Sequence, residues 1–281
     1  MIKREELRIR DPFILTDAEN GCYYMYTSTA TSNTLSDIKL GVAVYRTEDL
    51  ENFEDPVLVL DISTLPGFWA DRDVWAPEVH KYCENYYIFV SLKSESRCRG
   101  TQIFKSESPL GPFLPVSEFP ITPEDRECLD GTLWVEDGRP YMVFCHEWVQ
   151  IHDGTVCAVE LTPDLSAPAG EPFLLFAASE NEHSTLLTRK DGWSGNVTDG
   201  PFLYREDGKL KMVWSSFDNG RYVVLGAESD GGIRGSWAQL PPCFEFDGGH
   251  SMIFNTLDGR RMIALHAPNY GRLERATFIE F

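Results

Sequence analysis

Three aspartates occupy similar places in this sequence, each directly before an apolar segment that leads into a turn. Asp11 opens "RDPFILTDAENG", Asp130 opens "LDGTLWVEDG" and Asp199 opens "TDGPFLYREDG". In one cleft they could hydrolyse a glycosidic bond: an ionised carboxylate activates water, and a protonated carboxyl donates to the leaving oxygen. A third carboxyl beside the donor can raise the donor's pKa by repulsion. An isolated aspartate before a strand more often caps a turn, so the hypothesis depends on all three.

The elements that must bring these acids together form a repeat. Segments with a polar opening, an apolar strand, a turn and a second apolar strand begin about 50 to 70 residues apart. They are "RDPFILTDAENGCYYMYTS", "DVWAPEVHKYCENYYIFVS", "LDGTLWVEDGRPYMVFCHE", "TDGPFLYREDGKLKMVWSS" and "GGHSMIFNTLDGRRMIALHAP". Further β-like segments between them give each unit about four strands, which is typical of a propeller blade. Only residues 178–193 could carry a short helix or a loop.

We therefore predict an all-β, five-bladed β-propeller of antiparallel strands, with residues 1–281 in a single domain and the active site at one mouth of the central channel. The inner strands all run in one direction, so their first residues gather at that mouth: Asp11, Trp75 with Glu78, Asp130, Asp199 and His250. The second strand of each blade is antiparallel and ends at the same mouth, at a wider radius. Those ends are Ser28, Ser91, Glu147, Ser216 and His266.

Composition narrows the classes of partner and compartment. Acids outnumber bases by 44 to 25, and the formal net charge of −19 argues against nucleic acid or an anionic membrane surface as a partner. The seven cysteines include no C-x-x-C pair, which favours reduced thiols over a disulfide framework or a zinc site. No secretory signal or apolar span is visible, so we expect a cytoplasmic protein, although a secreted protein that has lost its leader would look the same.

The motifs resemble those of glycoside hydrolase family 43, which contains arabinofuranosidases, arabinanases and xylosidases. "RDPF", "WAPEV", "LDGTLW", "TDGPFLY" and "GGHSMIF" match the family's blade motifs in order along nearly the whole chain. The resemblance implies a five-bladed propeller and single-displacement, inverting hydrolysis. It makes Asp11 the general base, Asp130 the residue that tunes the pKa and orientation of the acid, and Asp199 the general acid.

The general-acid position departs from the family's pattern. The family usually has glutamate in "EGP", whereas this chain has Asp199 in "TDGP". An aspartate carboxyl lies one methylene closer to its own backbone, so the backbone or the substrate must move inward for it to act. Otherwise Glu147 in "CHEWVQ" is the first substitute and Glu78 the second. An inactive site is the remaining alternative.

Other residues are candidates for substrate or ion binding. The resemblance implies that His250 lies in the channel, where it could hold a structural calcium ion through waters; a histidine that is only hydrogen-bonded there is the alternative. The chemistry itself requires no cofactor. Trp75 and Phe13 lie within mouth motifs and could stack on a sugar face. Further candidates for contacts with substrate are Glu78, Glu147, Arg221 and His266.

The leading hypothesis is therefore an exo-acting, inverting glycoside hydrolase that releases terminal α-L-arabinofuranose, or β-xylose, from plant cell-wall polysaccharide or oligosaccharide. The alternative is a propeller that binds carbohydrate without hydrolysing it. An enzyme that cleaves with phosphate would need basic residues at the mouth, and the mouth motifs are acidic. Scaffolding of the WD-repeat type is not indicated, because no Gly-His and Trp-Asp signature recurs.

Overall fold

Antiparallel sheets account for most of the described chain, which comprises residues 1–35, 37, 38 and 40–281 of this computed structural model. Blade 1 contains β1 (Ile2–Lys3), β2 (Phe13–Asp17), β3 (Cys22–Ser28), β4 (Gly41–Thr47), β5 (Asn52–Phe53) and β6 (Val57–Asp61). Blade 2 contains β7 (Arg72–Tyr82), β8 (Asn85–Lys93), β9 (Gly100–Ser106) and β10 (Leu114–Pro115). Blade 3 contains β11 (Cys128–Glu136), β12 (Arg139–His146), β13 (Thr155–Glu160) and β14 (Phe173–Ala177).

The second half of the chain completes the ring. A short hairpin of β15 (Leu187–Thr188) and β16 (Ser194–Gly195) precedes blade 4. Blade 4 contains β17 (Asp199–Glu206), β18 (Lys209–Asp218), β19 (Arg221–Ser229) and β20 (Trp237–Phe244), and blade 5 contains β21 (Gly249–Asn255), β22 (Arg261–Ala267) and β23 (Arg275–Glu280). Helical segments are short: α1 (Trp148–Ile151) and the 3₁₀ turns Arg4–Glu6, Thr29–Thr31, Ile62–Thr64 and Ala178–Glu180.

The prediction of an all-β, five-bladed propeller is confirmed. Four strands per blade hold for blades 2, 3 and 4, whereas within the described residues blade 1 has six strands and blade 5 has three. The segment 178–193, which was predicted to be a short helix or a loop, begins with the 3₁₀ turn Ala178–Glu180 and contains β15, one strand of the short hairpin. Among the described residues, no helix has the length and apolarity that a membrane span requires.

The apolar core lies between neighbouring blades. Every residue of β3 is buried, because both faces of this middle strand are covered by adjacent sheets. Trp214 of blade 4 is fully buried and packs on Phe176 of blade 3, with ring centroids 5.3 Å apart. Burying one such side chain stabilises the fold by about 1.5–3 kcal/mol. All seven cysteines have free thiols, and four of them are buried among these apolar side chains.

Each inner strand opens with a residue in the left-handed backbone region. The five residues, with their φ angles, are Asp11 (51°), Ala76 (45°), Asp130 (56°), Gly200 (49°) and His250 (50°). In blades 2 to 5 the pairing between first and second strands shifts register at this point, which marks a β-bulge. A bulge bends the strand and turns the neighbouring side chains, here toward the mouth of the channel.

Second-strand side chains of the adjacent blade hold three of these openings. In two pairs the backbone N–H of the left-handed residue donates to a serine: Asp130 to Ser91 Oγ (2.8 Å) and His250 to Ser215 Oγ (2.9 Å). In the third pair the backbone nitrogen of Asp11 lies 3.4 Å from His266 Nδ1. The last pair joins blade 5 to blade 1. The mouth is therefore tied together by contacts between blades as well as within them.

Gly131 offers a test of how tightly the mouth is packed. A Cβ at this position would lie 2.6 Å from Thr101 Cγ2 and 2.8 Å from Met142 Sδ. We expect Gly131→Ala to lower the free energy of unfolding by about 1–3 kcal/mol, the usual cost of overpacking, as measured by urea denaturation. Gly170→Ala is the control, since a Cβ there meets no atom within 4 Å. Equal stability of the two variants would show that the mouth is loosely packed.

Candidate active site

The three aspartates meet in one cavity at the mouth. The cavity has a volume of about 340 Å³ and is lined by Arg10, Asp11, Ser28, Thr31, Trp75, Ala76, Leu129, Asp130, Asp199 and His250. This volume is at the low end of the roughly 300–1,000 Å³ of small-molecule sites. Six of the residues predicted to gather at the mouth therefore line one cavity: Asp11, Ser28, Trp75, Asp130, Asp199 and His250.

His250 lies among the three acids. Its Nδ1 atom is 3.3 Å from Asp199 Oδ1, 3.6 Å from Asp11 Oδ1 and 3.8 Å from Asp130 Oδ2. Burial would lower the pKa of this imidazole, but the three carboxyls raise it to about 10. His250 is therefore a buried cation at neutral pH, and its charge offsets the repulsion between the acids.

Asp11 is held as a carboxylate from two sides. His266 Nδ1 is 3.0 Å from its Oδ1 atom, and Arg10 Nε is 3.6 Å from its Oδ2 atom. Burial would raise the pKa of this carboxyl, but His250, Arg10 and His266 lower it to about 2. Asn269 orients both supports, because its Oδ1 accepts from Arg10 Nη1 at 2.8 Å and lies 3.3 Å from His266 Nε2. An ionised carboxylate fixed in this way suits a general base.

Asp130 and Asp199 are neighbouring carboxyls whose pKa values are shifted in opposite directions. Gly200 N–H donates to Asp130 Oδ2 at 3.0 Å. Burial and repulsion from Asp199 raise the pKa of Asp130 well above its ordinary value. Burial would also raise the pKa of Asp199, but hydrogen bonds to Asp130, His250 and Tyr222 lower it. The two shifts run in opposite directions, so Asp130 favours the protonated form of this pair and Asp199 favours the ionised form.

Access to the cavity distinguishes the two members of this pair. The Asp199 side chain is 23% exposed, whereas that of Asp130 is 4% exposed. Tyr222, which is itself buried, donates its hydroxyl to Asp199 Oδ2 at 2.5 Å. Asp199 is thus the carboxyl that a bound molecule can touch, and Asp130 is the more buried of the two.

Asp199 reaches the cavity from a different place in the repeat than the sequence suggests. The left-handed residue of blade 4 is Gly200, so Asp199 precedes it by one residue. In blade 2 the same place is held by Trp75, which precedes the left-handed Ala76. The predicted equivalence of Asp199 with the other two acids is therefore wrong by one residue, because the bulge is not visible in the alternation of residue types.

Trp75 is the aromatic residue of the cavity, and its position is fixed from behind. Its side chain is 41% exposed, and the Arg99 guanidinium lies 3.7 Å from its ring centroid. Arg99 in turn donates to Glu147 Oε1 at 2.9 Å and to Asp73 Oδ2 at 3.2 Å. The Arg99 guanidinium covers one face of the indole, and the exposed part of the ring is available to a ligand.

Glu147 does not line the cavity, and its prediction as the substitute acid needs correction. The side chain is 7% exposed and is ion-paired with Arg99. Burial raises its pKa, although Arg99 opposes this effect. The chain returns Glu147 to the predicted mouth, but its carboxyl points into the contact between blades 2 and 3 instead of into the cavity. It supports Trp75 through Arg99.

Phe13 and Glu78 were predicted to contact substrate, and the structure places both below the cavity. Phe13 is 5% exposed and packs on His80 and Phe202, with ring centroids 5.2 and 6.3 Å away. Glu78 is 4% exposed, and its Oε2 is 3.0 Å from His80 Nε2. Both follow the left-handed residue by two positions, so they face the interior of the channel.

His266 and Arg221 also need correction as substrate contacts. His266 is fully buried behind Asp11, where it supports the carboxylate. Arg221 is exposed in a separate depression with Asp218 and Phe246. Its neighbour Tyr222, which the sequence analysis missed, contacts Asp199 instead. Tyr222 lies at the start of the third strand of its blade, and third strands also begin at this mouth. The sequence prediction considered only the first two strands of each blade and therefore overlooked it.

Asp130, Asp199 and His250 form a group whose ligand atoms, all within 4.8 Å of one another, could hold a metal ion. They do not fit a directly coordinated calcium ion, which takes six to eight oxygen ligands. The group presents a nitrogen, and its carboxyls already accept from Gly200 and Tyr222. A calcium ion held by His250 through waters stays a prediction.

The sequence matches glycosyl hydrolases family 43 over residues 6–280, and the chain belongs to this family. A structure described as endo-arabinase from Bacteroides thetaiotaomicron VPI-5482 is 39% identical, with a TM-score of 0.92, over 100% of this chain and 96% of that one. An α-L-arabinofuranosidase structure from Lactobacillus brevis shares the fold at 18% identity, with a TM-score of 0.76, over 98% of this chain and 91% of that one.

A third relative is matched over a shorter segment. A Bacteroides ovatus protein named "Xylosidase/arabinosidase" is 30% identical over 108 residues, which span 37% of this chain and 32% of that protein. The predicted resemblance to family 43 is confirmed by the family match. Family membership also supports the prediction that the chain is a glycosidase.

The charge of His250 should make the free energy of unfolding depend on pH. Its pKa in the folded protein is raised above 6.5 by three carboxyls, so the stabilisation is fully present below pH 6.5 and is lost as the pH rises toward 10. Between pH 7.5 and 10 we expect the free energy of unfolding to fall by on the order of 2 kcal/mol more in the wild type than in His250→Asn, measured by urea denaturation.

The control for this experiment is His183→Asn. His183 is 34% exposed and lies 3.1 Å from Asp218, outside the cavity, so this variant shows the effect of replacing a histidine that is not part of the cluster. A His250→Asn protein with the wild-type dependence would show that the imidazole is not charged in the fold.

Proposed function

We propose that this chain is an inverting glycoside hydrolase that releases terminal α-L-arabinofuranose from arabinose-containing plant polysaccharide or oligosaccharide. The observation that carries the proposal is the meeting of Asp11, Asp130 and Asp199 around His250 in one cavity. Their environments separate their pKa values: that of Asp11 is lowered to about 2, and that of Asp130 is raised well above its ordinary value. Hydrolysis of a glycoside requires one carboxyl of each kind.

In the proposed reaction, Asp11 takes a proton from water as the water oxygen bonds to the anomeric carbon. The bond from that carbon to the leaving oxygen breaks, and the leaving oxygen takes a proton from Asp199. Asp199 receives that proton from Asp130 as the bond breaks, because Asp130 is the neighbouring carboxyl with the raised pKa, so Asp130 ends ionised and Asp11 ends protonated. Attack from the face opposite the leaving group inverts the configuration of the sugar.

The separation of base and acid bears on this stereochemistry. Asp11 Oδ1 and Asp199 Oδ1 lie 3.6 and 3.3 Å from one atom, His250 Nδ1, which limits how far apart these two oxygens can be. The greatest possible distance between the two oxygens, which is the sum of these two distances, falls near the short end of the roughly 6.5–9.5 Å that separates the carboxyls of inverting enzymes. The anomer first released, observed by NMR, is therefore the direct test of inversion.

The relatives support arabinose as the sugar. The structure that is 39% identical over the whole chain is described as an endo-arabinase, and the B. ovatus relative is named for xylose and arabinose. The size of the cavity, about 340 Å³, and its single aromatic wall at Trp75 favour one terminal sugar over a long internal segment. Release of arabinose alone from arabinan would support exo action, and release of oligomers would replace it with endo action.

Variants of the acids test the assigned roles. We expect Asp11→Asn to lower kcat by about 10²–10⁴-fold on every glycoside, because the base is needed whatever the leaving group. Asp199→Asn should lower kcat by a similar factor on arabino-oligosaccharides but much less on a dinitrophenyl arabinofuranoside, whose leaving oxygen needs little protonation. Steady-state kinetics on both substrates measures the difference.

Glu147→Gln is the matched control for this experiment. Its effect should be equal on the two substrates, because Glu147 holds Arg99 and does not touch the leaving group. A leaving-group dependence confined to Glu147→Gln would make Glu147 the acid. A wild type that binds arabino-oligosaccharides and hydrolyses no arabinoside or xyloside would favour the carbohydrate-binding alternative, and preferential release of xylose would change the sugar.

Metal removal tests the cofactor prediction. His250 supplies a positive charge among the carboxyls, so we expect dialysis against EDTA to leave kcat on an aryl arabinofuranoside within about twofold of its starting value. Loss of activity that calcium restores, and magnesium does not, would contradict this expectation. That result would instead favour a calcium ion held through waters by His250.

A further inference from the structure

Tyr222 is a buried residue whose hydroxyl is aimed at one carboxyl. Its side chain is 1% exposed, and the hydroxyl donates to Asp199 Oδ2 at 2.5 Å. The ring stacks against His266, with centroids 5.7 Å apart and planes at 23°, and it contacts Phe217 with centroids 5.1 Å apart. A rigid aromatic body therefore places the hydroxyl.

The strand opening of blade 5 leaves room for this ring. A Cβ on Gly249 would lie 2.5 Å from Tyr222 Cε1, closer than any real contact allows. The backbone beside it is tied as well, because Gly248 N–H donates to the Tyr222 carbonyl at 3.0 Å. Glycine at position 249 thus lets the tyrosine fill the space between blade 4 and blade 5.

Both oxygens of Asp199 are engaged in this arrangement. Oδ2 accepts from Tyr222, and Oδ1 lies 3.3 Å from His250 Nδ1. A glutamate at this position would carry its carboxyl one methylene further from the backbone. With Oδ2 already at hydrogen-bonding distance from a fixed hydroxyl, the longer side chain would overlap the tyrosine or turn away from the cavity.

We propose that Tyr222 is a positioning residue for the general acid: its fixed hydroxyl orients the Asp199 carboxyl in the cavity and makes the site specific for aspartate there. The inference rests on the proposed function, in which Asp199 delivers the proton. It explains how a chain with aspartate in place of the family's usual glutamate holds its carboxyl where it can donate a proton to the leaving oxygen.

The first test compares two buried tyrosines. We expect Tyr222→Phe to lower kcat by about 10–100-fold on arabino-oligosaccharides and by less than about threefold on a dinitrophenyl arabinofuranoside, with KM little changed. Tyr26→Phe is the matched control, because Tyr26 is buried and its hydroxyl makes one hydrogen bond, to the Pro109 carbonyl, away from the cavity. Thermal unfolding of both variants should show similar losses of stability.

The second test keeps the tyrosine and changes the acid. We expect Asp199→Glu to be at least about tenfold less active than the wild type on arabino-oligosaccharides, and Asp199→Glu with Tyr222→Phe to recover part of that loss. Non-additivity of this kind would not follow if Tyr222 only filled the core. The single Asp199→Glu variant keeps Tyr222, so this arm of the test does not depend on how well a Tyr222→Phe protein folds.

The outcomes separate the inference from the proposed function. An active wild type whose Tyr222→Phe and Tyr26→Phe variants behave alike on both leaving groups overturns the inference alone. Full activity of Asp199→Glu with Tyr222 present overturns it as well. A wild type that is inert on every glycoside overturns the proposed function, and the inference with it.

Discussion

Three carboxyls in one buried cavity repel one another strongly, and the arrangement depends on the imidazole that lies among them. Nδ1 of His250 is within 3.8 Å of each acid, where water does little to screen the charges. The left-handed backbone of His250 and its N–H bond to Ser215 place that cation before any ligand is present. Burial and the charge of Asp199 still raise the pKa of Asp130 well above its ordinary value. The proposed hydrolysis needs such a carboxyl, because one acid must donate a proton.

The propeller contributes a backbone device that the five blades share. Every inner strand opens with a left-handed residue, and the side chain at that place differs from blade to blade: a carboxyl, a methyl, a carboxyl, a hydrogen and an imidazole. Left-handed backbone is costly for residues other than glycine, and it persists where the surroundings fix it. Here the second strands of adjacent blades do so, through Ser91, Ser215 and His266. Chemistry can therefore change at these positions while the ring is kept.

Strand direction made the fold and the meeting of the acids predictable. Five repeats of one hairpin pattern give the blades, and equal strand direction decides which ends meet. Strand direction does not give the face to which a side chain points, and this is why Phe13, Glu78 and Glu147 were assigned to the cavity although they are buried beside it. The bulges shift Asp199 by one place and leave no mark in the alternation. Tyr222 was missed because its role depends on a contact across a sheet.

A raised pKa does not identify the proton donor in this protein. Glu147 has a raised pKa, but its carboxyl is paired with Arg99 and does not line the cavity, so a proton on Glu147 cannot reach a ligand bound there. Asp130 has a raised pKa and is almost fully buried. Asp199 has a lowered pKa, yet it is the carboxyl with access to the cavity. In the proposed reaction, storage and delivery of the proton are thus divided between two neighbouring acids. Delivery then depends on the orientation of a short side chain, which a rigid neighbour such as Tyr222 can fix more closely than a longer side chain would allow.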